Sequence, residues 1–193
     1  EAALADFPHR DEVNVTWRSF ELDPDAPTEL GESVVEMLSR KYGVSVDQAI
    51  AMNDRVSLVA AEEGLEYNLD RTRRGNSFDA HRLLHLAGEH GLADEAEERL
   101  FRAYLTEGVH IADRDELIRL GTEIGLDADE ISSVFDSDRF AEQVREDEDT
   151  ARAFGISGVP FVAIDRAFGV SGAQPVEVFR NALDEAWAAR QHA

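Results

Sequence analysis

The feature that most constrains this chain is the order in which its hydrophobic period changes. Val13, Val15 and Trp17 alternate with polar neighbours ahead of Phe20, which is the spacing of a strand. Asp23, Pro24 and Pro27 end that run. From about Leu30 to Phe154 the pattern is helical almost throughout, with stop and start signals at short intervals. The pattern changes again at Ile156. Gly158, Val159 and Pro160 precede Phe161, Val162, Ala163 and Ile164, a short buried-strand run, and Phe168, Gly169 and Val170 follow. Two strands joined by a tight turn at Asp165 and Arg166 are expected. Gln174 and Pro175 then open a last helix, with Val178, Phe179, Leu183 and Trp187 facing inward.

The long helical stretch carries its own punctuation. Ser45 with Gln48, Asp113 with Glu116, and Asp127 with Glu130 have the capping-box spacing, in which a short polar side chain takes an orphan amide and the third residue reaches back. Each marks a helix start. Ala49, Met52, Val56 and Val59 form one apolar stripe, Ala80, Leu83, Leu84 and Ala87 a second, and Leu92, Ala96, Leu100 and Tyr104 a third. Gly43, Gly64, Gly91, Gly108 and Gly125 fall where helix C-termini take a left-handed residue. A helical bundle is the expectation. The charged run from Arg145 to Asp149 reads as a solvated helix face, and its carboxylates as surface groups.

The 193 residues hold 19 Lys and Arg against 41 Asp and Glu, a formal net charge of −22. That charge repels phosphate backbones and anionic lipid head groups, so neither nucleic acid nor a membrane surface is an expected partner. Even Arg71, Arg73 and Arg74, the densest basic spot, make only a small cluster. With 43% hydrophobic residues the chain can bury roughly 70% of its unfolded surface, which suits one domain or one domain with a large insertion. Cysteine is absent, which removes disulfides, thiolate zinc sites and thiol nucleophiles from these residues. No apolar run approaches the roughly 20 residues that cross a bilayer, and no leader-like segment is present, so a soluble, cytoplasmic protein is expected.

Four blocks, in order, carry a family resemblance: Asn76-Ser77-Phe78-Asp79-Ala80-His81-Arg82-Leu83, Leu100-Phe101-Arg102-Ala103-Tyr104, Gly155-Ile156-Ser157-Gly158-Val159-Pro160-Phe161, and Gly169-Val170-Ser171-Gly172-Ala173-Gln174. With the element order, they make the chain resemble the DsbA family of thioredoxin-like oxidoreductases, and its FrnE-like branch in particular. The resemblance implies an α/β, thioredoxin-like fold with a large all-helical insertion. Residues 1–26 and 152–193 would form the thioredoxin-like domain and residues 27–151 the inserted helical domain. It implies a cis Val159–Pro160 peptide, with the Val159 N–H and C=O left to pair with a bound peptide or thiol compound. Phe78, His81 and Arg82 are placed on the side of the helical domain that borders the cleft. The expected substrate-binding residues are therefore Val159, Pro160, Phe78, His81 and Arg82.

The family's Cys-x-x-Cys lies at the end of the first strand and opens the first helix, where a helix N-terminus lowers a thiol's pKa. This chain has neither that strand nor a thiol, and Glu1 to Asp6 already reads as the end of a helix. In the thioredoxin fold the missing strand lies between the strand at Val13 to Trp17 and that at Phe161 to Ile164. Without it, two inner rows of backbone groups need partners. The expectation is that roughly 20 residues precede Glu1, a strand of about 5 to 6 with a turn and helix start, and that they bear the thiols. No catalytic residue is then expected within the chain. The implied activity is that of a protein-disulfide oxidoreductase or isomerase acting on disulfide- or thiol-containing proteins or small molecules, without a cofactor.

Two alternatives keep the fold. One is a 2-hydroxychromene-2-carboxylate isomerase or kappa-type transferase, for which glutathione would be the cofactor. Those enzymes tend to carry Ser-Asp-Arg where this chain reads Gly172-Ala173-Gln174, and loss of the Asp/Arg pair weakens capture of the charged γ-glutamyl end. The other is a non-catalytic thioredoxin-like binding module, against which the unpaired edges stand. His81, His85 and Glu89 recur every four residues, a spacing able to hold a divalent metal. A zincin would need Glu where Arg82 stands, and no distant third ligand declares itself, so no metal site is expected. Gly-rich phosphate loops, Gly-x-Ser-x-Gly and kinase signatures are absent.

Overall fold

In the structure, a computed structural model that describes residues 2–190, helices begin and end where short polar side chains and glycines put them. A short α1 (Ala2–Ala5) is followed by α2 (Val34–Tyr42), α3 (Val46–Glu62), α4 (Phe78–Glu89), α5 (Ala93–Arg102), α6 (Arg114–Glu123), α7 (Ala128–Phe135) and α8 (Ala141–Ala153). Strands β1 (Phe161–Ile164) and β2 (Phe168–Ser171) and helix α9 (Val176–Arg190) complete the order. Ser45 and Gln48 make a reciprocal capping box ahead of α3, and Ser33 and Glu36 make a second ahead of α2. Asp113 and Asp127 cap α6 and α7 from one side only, because Glu116 turns to Arg119 and Glu130 to His90 and Arg139. All five glycines expected at helix ends have positive φ.

The chain divides into two compact units, Glu1–Leu22 with Glu148–Ala193, and Asp23–Asp147. The second is a helical bundle around α4. Leu83 and Leu86 of α4, Leu117 and Leu120 of α6, and Ile131 and Val134 of α7 are sealed from solvent. Burial of each such side chain stabilises the fold by roughly 1.5–3 kcal/mol. The third apolar stripe continues into a π-helical turn, Ala103–Glu107, which residues 66–71 clasp. Asn68 N–H donates to Leu105 O (2.7 Å), its Nδ2 to Thr106 O (2.9 Å), and Thr106 Oγ1 donates to Glu66 O (2.6 Å). Gly108 ends the turn at φ 71°, so close to Arg71 that a Cβ there would stand 2.6 Å from the Arg71 Cβ.

Two expectations for this unit need correction. In the first stripe only Ala49 is buried; Met52, Val56 and Val59 are exposed, because α3 packs chiefly on α2 and presents that side to solvent. The Arg145 to Asp149 run is not all surface either. Asp147 is buried with its carboxylate 3.5 Å from His85 Nε2, since Val144, Asp147 and Ala151 share the inward face of α8.

The first unit has a thin core. Ala3, Phe7 and Leu183 are buried, and Val13, Ile164, Val176, Phe179 and Trp187 pack around them. His9 stacks on the Trp187 ring at 3.9 Å. Glu148, also expected at the surface, is buried and accepts the Glu21 backbone N–H (3.4 Å). Val178 faces solvent; the inward row of α9 starts instead at Val176 and runs through Phe179 and Leu183. β1 and β2 pair antiparallel from Phe161↔Ser171 to Ile164↔Phe168, across a turn in which Asp165 and Arg166 both have positive φ. The strand expected over Val13 to Trp17 does not form. Residues 13–20 have no regular structure, and no ladder with another strand is made there among the described residues. Alternation supplies a strand's side chains but not the neighbouring backbone that a strand needs.

Two outcomes are expected. Gly43→Ala should cost about 1 kcal/mol for its left-handed φ alone, because nothing lies within 4 Å of the new Cβ. Gly108→Ala should cost at least about twice as much through the collision with Arg71; equal losses in urea denaturation would refute that close approach. Separately, burial, with the Asp94 charge adding to it, pushes the Glu97 carboxyl from 4.5 up to about 7. The folded state then holds a proton that the unfolded chain has released, so stability falls as pH rises from about 4.5 to about 7 and is not regained above. Glu97→Gln should flatten that slope and raise stability at pH 8 by about 1 kcal/mol, allowing for solvent screening. Urea midpoints at both ends of the window check it.

Candidate functional site

The turn from α8 into β1 is built by backbone bonds. Past the end of α8, Gly155 takes φ 70° and the Ile156 N–H donates back to Ala151 O (2.9 Å), a helix C-cap that aims the chain toward β1. The Val159–Pro160 peptide is cis. Pro160 O accepts the Gly172 N–H (2.9 Å), which clips the loop to the end of β2. Residues 155–161 with Ser171 and Gly172 line a pocket of about 250 Å³. Val159 is 52% exposed, and among the described residues neither its N–H nor its C=O is hydrogen-bonded. Such a donor and acceptor side by side can pair with an extended chain as a strand neighbour does.

The pocket lining carries no charge. Ser157 and Ser171 place hydroxyl-bearing residues there, but no histidine or carboxylate lines the pocket to activate them, and the chain has no cysteine. These residues can bind and orient; they hold no nucleophile for exchange. Beside the pocket, β1 has β2 as its ladder partner and its other edge is open among the described residues.

Phe78, His81 and Arg82 lie in the first two turns of α4, in the helical unit. Arg82 is 3% exposed. Its guanidinium donates through Nε to Arg139 O (3.0 Å), through Nη1 to Asp79 (2.8 Å), and through Nη2 to Val134 O and Ser137 O. Val134 lies in the last turn of α7 and Ser137 just past it; Val134 O also accepts the Ser137 N–H (3.3 Å), and Arg82 adds a cap supplied from another helix. Phe78 is half-buried between two guanidiniums, with Arg145 4.5 Å and Arg82 5.7 Å from its ring centre. His81 is half-buried one turn on. The row His81, His85, Glu89 does not converge on a ligand, since His85 faces Asp147 and Glu89 meets Arg139 at 2.6 Å. Among the described residues no group of three His, Asp or Glu side chains could hold a metal ion. Arg145 and Asp147 were not singled out as neighbours of this face; the helical spacing of Phe78, His81 and His85 was the available signal.

Residues 1–184 match the family described as DSBA-like thioredoxin domain. The chain is similar to the probable DsbA oxidoreductase SCO1869 of Streptomyces coelicolor, with a TM-score of 0.92 and 44% identity, covering 97% of this chain and 81% of that one. It is also similar to the uncharacterized protein YwbO of Bacillus subtilis (strain 168), at 26% identity over 176 residues, 90% of this chain and 82% of the relative. No described helix is long and apolar enough to cross a membrane. With a β-hairpin, a closing helix and a helical insertion in the expected order, the chain belongs to the DsbA-like thioredoxin family of oxidoreductases.

Proposed function

We propose that the chain is part of a protein-disulfide oxidoreductase or isomerase of the FrnE-like branch, whose Cys-x-x-Cys lies on a strand and helix start N-terminal to Glu1. The observation that carries this reading is the exposed main chain of Val159, unpaired among the described residues, beside a sheet edge that has no neighbour among them. A strand inserted along β1 would complete the ladder and bring a helix start, the place where a thiol is activated, to the loop. The N-terminal thiolate attacks a substrate disulfide, one substrate sulfur leaves as a thiolate, and the second cysteine displaces the other, so the pair is oxidised as the substrate is reduced; the reverse sequence oxidises a dithiol.

Val159 and Pro160 are read as holding the substrate main chain, and Phe78 and His81 as substrate-facing side chains of the helical unit. The bonds of Arg82 support a part in holding that unit together rather than in touching substrate. The glutathione-dependent alternative has less support, because the pocket is uncharged and Gln174 Nε2 donates to Ser171 O (2.9 Å), within the chain. A cytoplasmic location belongs to the same reading and is checked by fractionation.

The intact gene product should contain a Cys-x-x-Cys shortly before Glu1 and catalyse insulin reduction by dithiothreitol, with serine at its first cysteine lowering turnover by about a thousandfold or more. An intact product without the pair, or with it and without turnover, overturns the reading. Arg82→Met should cost about 3 kcal/mol of stability by removing a buried cation's bonds and leaving the Ser137 and Arg139 carbonyls unpaired, with turnover per folded molecule unchanged. A raised KM at unchanged stability would return Arg82 to the substrate contacts.

A further inference from the structure

We infer that α3 carries a self-association surface, in which Met52, Val56 and Val59 form a seam that packs antiparallel against α3 of a second copy. The helix buries Ala49, Asn53 and Ala60 and leaves Met52, Val56 and Val59 38%, 51% and 58% exposed. Counted from Ala49, the row steps by three, four and three residues. That is the spacing with which a helix lays one face along a neighbour, a second helix included. Isolated exposed apolar residues are ordinary, whereas a line of them along a well-capped helix marks a contact surface.

Charge selects the occupant. A chain of net charge −22 repels its own copies over most of its surface, and α3 contributes Asp47, Asp54 and Glu62. Arg55 is the one cation of α3, exposed on the flank of the seam, and it has no ion-pair partner among the described residues. Glu62, two turns on along the same flank, has none either. An antiparallel copy about a two-fold axis sets Arg55 of each helix against Glu62 of the other and gathers Val56 and Val59 of both into one layer. A parallel copy in register would put Arg55 level with Arg55. Three apolar side chains per copy fall short of the ~1,200 Å² buried by stable complexes, so the association is a weak one, seen at high protein concentration.

Sedimentation equilibrium on the intact protein, from about 5 to about 500 µM, tests this, with the mass expected to rise from one chain toward two across that range. Val56→Glu should weaken association by at least about tenfold without moving the urea midpoint, because Val56 is exposed. Arg55→Glu should weaken it about threefold, and adding Glu62→Arg should restore it to within about twofold, as reversal of a paired charge does. A protein that stays monomeric throughout, a dimer indifferent to Val56→Glu, or a double variant no tighter than Arg55→Glu overturns the proposal. A loss of urea stability in a monomeric Val56→Glu variant would likewise overturn it, assigning the seam to a segment of the same chain.

Discussion

The small sheet rests on four residue pairs, Phe161 with Ser171 through Ile164 with Phe168, and on the rule that a strand's amides and carbonyls must find partners across a gap of one strand spacing. Much else in the first unit depends on that rule. Residues 13–20 have the side-chain alternation of a strand and remain irregular, because alternation does not supply a ladder. The same requirement bears on Val159, whose donor and acceptor are left open among the described residues.

The helical unit depends on a different device. Helix ends carry carbonyls without amides. Arg82 answers this with a planar fork that reaches carbonyls at the end of α7 and beyond while pairing with Asp79, a geometry that lysine's single ammonium cannot copy. Elsewhere in this acidic chain arginines are shared. Arg139 bridges Glu89 and Glu130, and Arg99 bridges Glu107 and Glu123. Exposed pairs of this kind contribute little singly. Their effect is to tie helices of the unit together where like charge would otherwise push them apart.

Much of this was legible from residue order. The hairpin at Asp165 and Arg166, the helix starts at Ser45, Asp113 and Asp127, and the helix-ending glycines are local matters, governed by a few adjacent residues, and they stand where the spacing put them. Burial was less legible, because it depends on which neighbour arrives. Ala49 and Val56 belong to one stripe, yet Ala49 is sealed from solvent and Val56 is half exposed. Asp147 and Glu148 sit in a run that looks solvated, and both are buried against groups distant in sequence, His85 beside the first and the Glu21 amide beside the second. The π turn at Ala103–Glu107 had no spacing signal, since it arises from the clasp of residues 66–71. At the candidate site, the cis Val159–Pro160 peptide was legible in its motif, whereas the interior bonding of Arg82 required the fold.

One consequence follows from the uncharged pocket beside Val159. A contact made through a peptide's own amide and carbonyl is blind to side chains, since every residue but proline offers the same pair of groups. With no charged wall to favour one composition over another, such a surface cannot tell one client from the next by its letters. Under the proposed exchange reaction, discrimination would then rest with the clients themselves: those whose sulfurs lie in slack, extended stretches would be served, and those whose sulfurs are locked in folded cores would be passed over.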